Sequence, residues 1–227
     1  MMSLQKGEVN LTQLNAALFD LDGTIIDSEP GITATFDYTL SQFGISYPRE
    51  QMRAFLGPPL SESFARLVRP EEVDRCVEIY RRRYAEDGIY RCAVYPGIPD
   101  VLRQLKEQGW TVCLATSKLR EAAVTILDRF ELTPFFDLIG GSSEDGAIET
   151  KEEVLRSILP ALEAQGRHGV MIGDRFHDME GAARCDLPAV GVLYGYGDEA
   201  ELSAYQPLAL CKSPKELGDF LSLHFNQ

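Results

Sequence analysis

Two aspartates lie two residues apart in the segment Asp20-Leu21-Asp22-Gly23-Thr24, directly after a short apolar run at residues 16–19. Such a run predicts a buried strand, and the active sites of open α/β sheets lie beyond the carboxyl ends of their strands. Two carboxylates this close resist joint ionisation unless a cation or a shared proton relieves them. Mg²⁺ prefers oxygen ligands and would do so. The alternative is a plain turn, because Asp and Gly are common turn residues.

A second acidic segment, Gly173-Asp174-Arg175-Phe176-His177-Asp178, follows another apolar run at residues 169–172. Asp174 ends the predicted strand, and Asp178 comes about one helical turn later. Alone, this pattern is typical of a helix N-terminus with an acidic first turn. Beside the first segment in a parallel sheet, the two further carboxylates favour a metal site. For His177, an exposed position in the first helical turn is favoured over a role as a ligand.

Residues that could bind phosphate lie in Leu114-Ala115-Thr116-Ser117-Lys118, at the end of a third apolar run. A hydroxyl group followed by free N–H groups at a helix start suits a phosphate, although Thr and Ser are also ordinary helix caps. Lys151 begins a predicted helix, where a lysine is unfavourable for the helix dipole. A functional role for Lys151 therefore competes with the common one of an exposed surface lysine.

The elements that must position these residues alternate between strand and helix. Helical periodicity is found at residues 98–108, 119–130, 151–165, 177–185 and 213–223, and apolar runs that predict strands at 16–19, 110–115, 136–139, 169–172, 188–192 and 208–211. This alternation predicts parallel βαβ units in a doubly wound, mostly parallel α/β sheet. Residues 29–92 differ, because their apolar positions recur only at helical spacing. We therefore predict a discontinuous core, residues 1–28 and 93–227, and an all-helical insert over 29–92.

The composition limits the possible partners. The chain has 227 residues, 44% hydrophobic residues and a net charge of −13, which argues for a globular fold and against a nucleic-acid partner. No apolar run approaches the ~20 residues that span a bilayer, and the first residues lack the apolar segment of a signal peptide. Five cysteines without a CxxC pair argue against disulfides or zinc. We expect a cytoplasmic monomer or dimer that has no membrane partner.

Taken together, the segments DGTIIDSEP, YPGIPDVL, LATSK, MIGDRFHDMEGA and VGVLYGYG resemble the haloacid dehalogenase-like (HAD) phosphatase superfamily, in its phosphoglycolate phosphatase-like branch. The resemblance covers the whole predicted core, and the helical insert matches the cap of that branch in position and size. It implies a Rossmann-like core and Mg²⁺-dependent hydrolysis of a small phosphorylated metabolite, such as phosphoglycolate or a nucleoside monophosphate. Asp22 points to phosphoryl transfer, because the dehalogenases lack an acid there and a halide leaving group needs no proton.

The resemblance also implies roles for the acidic residues. Asp20 would be the nucleophile that forms an aspartyl-phosphate, and Asp22 would be the general acid and then the base. Mg²⁺ would be held by the carboxylates of Asp20 and Asp174 and by the main-chain carbonyl of Asp22. Asp178 would orient either metal-bound waters or Lys151.

Other residues would bind the phosphate and cover it. Thr116, Ser117 and the backbone at Gly23 would hold phosphate oxygens, and Lys151 would offset the charge of the nucleophile and the phosphoryl group. The five residues before Lys151 lack the basic residue that many relatives have there. The insert would close over the site and exclude water. Its candidate substrate contacts are Arg53 and the turn at residues 56–60, and the alternative for Arg53 is a solvated helix residue.

Two other functions remain open at this point. A sugar phosphomutase on the same scaffold would need polar groups in the insert to hold a second phosphate or a sugar, and the insert's helices offer few. A non-catalytic binding module that retains the fold would have no need of Asp22. Product analysis and a broad turnover screen distinguish these functions from hydrolysis.

Overall fold

A computed structural model of the chain describes residues 14–225. Its strands are β1 (Ala16–Phe19), β2 (Ile26–Asp27), β3 (Ala93–Val94), β4 (Thr111–Leu119), β5 (Leu138–Ser142), β6 (Gly169–Gly173), β7 (Ala189–Val192) and β8 (Ala209–Cys211). Its α-helices are α1 (Glu29–Ser41), α2 (Leu60–Ala65), α3 (Val73–Glu86), α4 (Ile98–Glu107), α5 (Arg120–Arg129), α6 (Lys151–Glu163), α7 (Phe176–Arg184), α8 (Glu199–Ser203) and α9 (Pro214–Phe225).

Six strands form one parallel sheet in the order β5-β4-β1-β6-β7-β8. The central strand β1 pairs with β4 on one side and with β6 on the other, so that Ala16 lies opposite both Thr111 and Gly169. All four residues of β1 are buried, as expected for a strand covered on both faces. The predicted α/β fold is confirmed, and the carboxyl ends of β1, β4 and β6 share one edge of the sheet.

Alternating side chains of β1 serve two separate apolar cores. Ala17 and Phe19 belong to a core that includes residues of α4, α5 and α9, while Ala16 and Leu18 belong to a core that includes residues of α6 and α7. This alternation follows from the two-residue repeat of a strand. Helices therefore cover both faces of the sheet, which leaves its carboxyl edge as the place where loops meet.

The insert consists of α1, α2 and α3 joined by short 3-10 helices at Arg49–Phe55, Pro70–Glu72 and Gly88–Tyr90. Its aromatic residues pack on one another, with the ring centroid of Phe36 lying 4.9 Å from those of Phe64 and Tyr80. The antiparallel pair β2–β3 joins the insert to the core, with Ile26 opposite Val94. In the described part of the chain, α-helices and 3-10 helices are the only regular elements between residues 29 and 92. The exact domain boundaries stay a prediction, and residues 1–13 and 226–227 of the predicted core lie outside the described residues.

The main differences from the sequence prediction concern β4, the β2–β3 pair and α8. Strand β4 runs to Leu119 instead of ending at residue 115, and its pairing with β5 shifts in register between Ala115 and Leu119. The β2–β3 pair and the five-residue helix α8 were not predicted, because elements this short show no periodicity. Among the described helices, none is both long and apolar enough to cross a membrane.

Candidate active site

Three of the predicted acids meet at the carboxyl edge of the sheet. Asp20 follows β1, Asp174 follows β6, and Asp178 lies in the first turn of α7. One carboxylate oxygen from each lies within 4.8 Å of those of the other two. All three residues are buried, with Asp20 8% exposed. Parallel pairing of β1 with β6 brings these residues together although more than 150 positions separate Asp20 from Asp174.

The loop after β1 and the loop after β7 hold Asp174 in place. Its carboxylate accepts hydrogen bonds from the Thr24 hydroxyl at 3.3 Å and from the backbone N–H of Tyr196 at 2.8 Å. Gly23 has a φ of +84°, and a Cβ built on it would lie 2.1 Å from Asp174 Oδ2. Both the left-handed turn and the close approach require glycine at position 23.

Burial and mutual repulsion disfavour the charged forms of these acids. Burial raises the pKa of Asp20 to about 6, against the opposing charge of Lys151. Burial, followed by the charges of Asp178 and Asp20, raises the pKa of Asp174 well above its ordinary range. If all three acids are ionised, the single charge of Lys151 leaves two negative charges uncompensated. A divalent cation has the charge and the preference for oxygen that this cluster fits.

Lys151 lies at the start of α6, and its side chain is only 5% exposed. Its ammonium group donates to Asp20 Oδ1 at 2.7 Å and to the carbonyl oxygen of Ala115 at 2.6 Å, and it pairs with Asp178 Oδ1 at 2.8 Å. Burial would lower the pKa of Lys151, but Asp178 and Asp20 raise it above its ordinary value. Of the two roles expected for Asp178, the structure shows the contact with Lys151.

Thr116, Ser117 and Lys118 lie where β4 shifts its register beyond Ala115. Thr116 is buried, and its hydroxyl accepts a hydrogen bond from the backbone N–H of Lys118 at 3.2 Å. The ammonium group of Lys118 donates to both carboxylate oxygens of Asp22, at 3.0 and 2.7 Å. Sequence reasoning assigned no role to Lys118, and its only signal was its place in the segment LATSK.

A cavity of about 480 Å³ lies between this edge of the sheet and the insert. Its core side is lined by polar and charged residues, namely Asp20, Asp22, Thr116, Ser117, Lys118 and Lys151. Its insert side is mostly apolar, with Ile32, Phe36, Phe55, Tyr80, Tyr84 and Ile89 among its residues. Charged side chains of the core thus lie across the cavity from aromatic side chains of the insert.

Arg53 is not among the residues that line this cavity. Its guanidinium group pairs with Glu29 at 2.9 Å, and its side chain is 65% exposed. The insert arginine that lines the cavity is Arg81, which donates to the carbonyl oxygen of Glu144 at 3.4 Å. The sequence prediction of Arg53 as a substrate contact therefore has no support in this arrangement, because the side chain is directed to a different partner.

Arg175 and His177 join the core to the insert. Arg175 pairs with Glu201 of α8 at 2.9 Å and donates a hydrogen bond to the carbonyl oxygen of Leu56. A Cβ on Gly57 would lie 3.4 Å from the imidazole of His177. His177 is half-buried and lines the cavity, and burial lowers its pKa. The expected exposed position of His177 is thus corrected, because the turn at residues 56–58 of the insert packs over it.

The comparison with known proteins agrees with this geometry. Residues 17–192 match the family described as haloacid dehalogenase-like hydrolase. The chain belongs to this family. A curated 5'-nucleotidase from Pseudomonas aeruginosa is 38% identical over 210 residues, which cover 91% of this chain and 95% of the relative. The pyrophosphatase PpaX of Halalkalibacterium halodurans is 30% identical over 212 residues, which cover 93% and 98% of the two chains.

A solved structure of a predicted phosphatase from Clostridium acetobutylicum has the same fold. It superimposes with a TM-score of 0.85 at 37% identity, covering 92% of this chain and 98% of the other. Together with the family match, these relatives identify the chain as a phosphoric monoester hydrolase of the haloacid dehalogenase-like family. The predicted family and enzyme class are confirmed.

Proposed function

We propose that the chain is a Mg²⁺-dependent phosphatase that hydrolyses a small phosphomonoester through an aspartyl-phosphate on Asp20. The observation that carries this proposal is the convergence of acids and one lysine at the carboxyl edge of the sheet. Asp20 lies 2.7 Å from the ammonium group of Lys151, within a cluster of three carboxylates of which Asp20 and Asp178 line the cavity. The predicted nucleophile, the counter-charge for a phosphoryl group and the cation ligands therefore occupy one place.

The reaction has two steps in this proposal. A carboxylate oxygen of Asp20 forms a bond to phosphorus while the bond to the leaving oxygen breaks, and that oxygen takes a proton from Asp22. A water molecule then attacks the phosphorus and gives a proton to Asp22, which releases inorganic phosphate and restores the Asp20 carboxylate. Lys151, Thr116 and Ser117 offset or bind the charged phosphoryl oxygens throughout.

Mg²⁺ would be held by the carboxylates of Asp20 and Asp174 and by the main-chain carbonyl of Asp22. When bound, it would neutralise charge on the transferring group and orient that group. Asp178 belongs to the same cluster, but its contact with Lys151 makes it a support for the lysine. Calorimetric titration with Mg²⁺ tests the ligand set without turnover. We expect binding by the wild type and loss of binding in Asp174→Asn.

For the leaving group, the lining of the cavity favours a nucleoside over glycolate. A volume of about 480 Å³ is within the range of pockets for drug-sized ligands. The rings of Phe36 and Tyr80 on the insert side offer an aromatic surface against which a flat base can pack. The likeness to the Pseudomonas aeruginosa 5'-nucleotidase supports the same choice. A glycolate or pyrophosphate group would bury little of this aromatic surface. The second negative charge of either group would depend on Arg81 as its partner.

A turnover screen with Mg²⁺ and with EDTA tests the proposal. The panel holds nucleoside monophosphates, phosphoglycolate, pyrophosphate and a hexose phosphate, and inorganic phosphate is measured as the product. We expect Mg²⁺-dependent release of phosphate that is fastest from a nucleoside monophosphate and is abolished by Asp20→Asn. Asp100→Asn, an exposed aspartate in a surface ion pair, serves as the matched control. Phosphate moved within the hexose would indicate a mutase, and no turnover would indicate a binding module.

We also infer that the protein works on free metabolites in the cytoplasm, as a monomer or dimer without nucleic-acid or membrane partners. The charge of −13 and five free cysteines support this inference. Size-exclusion chromatography with light scattering tests the oligomeric state, and cell fractionation tests the compartment.

A further inference from the structure

We propose that Lys118 and Tyr84 are positioning residues for Asp22, so that the insert acts on the proton donor as well as covering the cavity. Lys118 fixes the direction of the Asp22 carboxylate, and the Tyr84 ring fixes Lys118. This inference rests on the acid/base role of Asp22 in the proposed function, and it assigns a task to two residues that the phosphatase chemistry described above does not use.

The contact between Lys118 and Asp22 is short, two-fold and largely buried. The ammonium group lies 3.0 and 2.7 Å from the two carboxylate oxygens, and the two side chains are 9% and 16% exposed. Among residues 14–225, no other side chain forms a hydrogen bond or ion pair with the Asp22 carboxylate. Lys118 is therefore the group that sets the orientation of this carboxylate relative to the cavity.

Lys118 is itself held from the insert side. Its ammonium nitrogen lies 4.6 Å from the centroid of the Tyr84 ring in α3, a distance at which a cation is attracted to an aromatic face. The Tyr84 ring is buried and stacks on that of Tyr80, with centroids 5.8 Å apart and planes 6° apart. On the core side, the backbone N–H of Lys118 donates to the Thr116 hydroxyl. The backbone of Lys118 is thus held by the core, and its ammonium group is held against a ring of the insert.

Through these contacts, the insert acts on one chemical event, the protonation of the leaving group. An alkoxide leaving group needs a proton as its bond to phosphorus breaks, whereas a nitrophenolate departs readily without one. Misplacing Asp22 should therefore slow the hydrolysis of alkyl phosphates more than that of nitrophenyl phosphate. A residue that only binds the phosphoryl group would slow both to the same extent, since both substrates carry that group.

The experiment measures kcat/KM in Mg²⁺ for p-nitrophenyl phosphate and for a nucleoside monophosphate, because kcat/KM reports the step in which the leaving group departs and not the hydrolysis step that both substrates share. In Lys118→Met, we expect the ratio of the first kcat/KM to the second to rise about tenfold, a fraction of what a general acid contributes. Tyr84→Leu removes the ring and should raise the ratio in the same direction, while Tyr84→Phe keeps the ring and should keep the wild-type ratio. Tyr38→Leu is the matched control, because Tyr38 also carries a cation, Arg83 at 4.9 Å, but does not line the cavity.

Equal slowing of both substrates in Lys118→Met and Tyr84→Leu would overturn the inference and leave Lys118 as a phosphate-binding or structural residue. Should Lys118→Met fail to fold, as circular dichroism would show, the two Tyr84 variants decide the matter. Turnover that survives Asp20→Asn, or a wild type that hydrolyses neither substrate, would reject the proposed function and this inference with it. A wild type that requires Asp20 while its ratio stays constant in both variants would reject the inference alone.

Discussion

Replacing Lys151 with methionine should destabilise the protein strongly, although the new side chain has a similar length and shape. The lysine ammonium lies 2.7 Å from Asp20 and 2.8 Å from Asp178, and it donates to the Ala115 carbonyl oxygen. Methionine removes the positive charge and leaves two largely buried carboxylates without a counter-ion. Removing one partner of a buried ion pair costs about 3–5 kcal/mol.

The loss should depend on pH because the carboxylates can take up protons instead. The folded-state pKa of Asp20 is raised to about 6, above its ordinary value of 3.8, so its ionised form already opposes folding above that pH. Without Lys151 this pKa rises further. We therefore expect a loss of about 4 kcal/mol at pH 8 and a smaller loss at pH 5, where Asp20 is protonated. For a chain of this size, 4 kcal/mol lowers Tm by about 8–16 °C.

Urea unfolding followed by circular dichroism, in EDTA so that no metal intervenes, measures the difference. Lys215→Met is the matched control, because Lys215 pairs with Asp219 on the surface and its side chain is 83% exposed. An exposed pair of this kind contributes about 0–1 kcal/mol. Our account of the buried charges would be refuted if Lys151→Met lost no more stability at pH 8 than Lys215→Met does.

Three further outcomes are expected. Gly23→Ala would bring a Cβ to 2.1 Å from the carboxylate of Asp174, so kcat should fall about 100-fold in steady-state assays, and an unchanged kcat would contradict the close approach. Mg²⁺ at about 100 times its Kd should raise the unfolding free energy by about 2.7 kcal/mol in thermal unfolding, a gain that Asp174→Asn should lose. Glu201→Gln weakens the hold of Arg175 on the Leu56 carbonyl oxygen by about 1 kcal/mol, so protease cleavage within the insert should accelerate about fivefold. Unchanged cleavage would show that this contact does not restrain the insert.

The sheet could be predicted because its strands are locally distinct. Continuous apolar runs such as residues 16–19 and 169–172 are followed within two residues by an aspartate, and the segments between the strands show the hydrophobic periodicity of helices. The pair β2–β3 could not be predicted, because strands of two residues show no hydrophobic periodicity. These strands form only when the insert brings their ends together. Strand β4 was predicted too short, since the polar residues 116–118 interrupt its apolar pattern while its pairing resumes at Leu119.

The site was predictable where the side chains follow strands directly. Asp20 and Asp174 lie beyond the ends of adjacent strands, so strand order alone brings them together. Lys118 and Tyr84 differ, because their contact joins a strand end to a helix of the insert, and no local pattern records which insert residue faces which core residue. Arg53 illustrates the converse: its residue type suggested a role in binding, and its contact with Glu29 depends on packing that the sequence does not display.

The paired strands at which the insert departs and returns have an evolutionary consequence. Ile26 faces Val94 and Asp27 faces Ala93, so the two crossing points are neighbours. A different number of residues between such points changes the loop-closure free energy only by about 0.6 kcal/mol for each doubling of length. Recombination at this position can therefore exchange the whole insert, and with it the apolar side of the cavity, in a single event, while Asp20 upstream and the strands of the sheet are inherited unchanged.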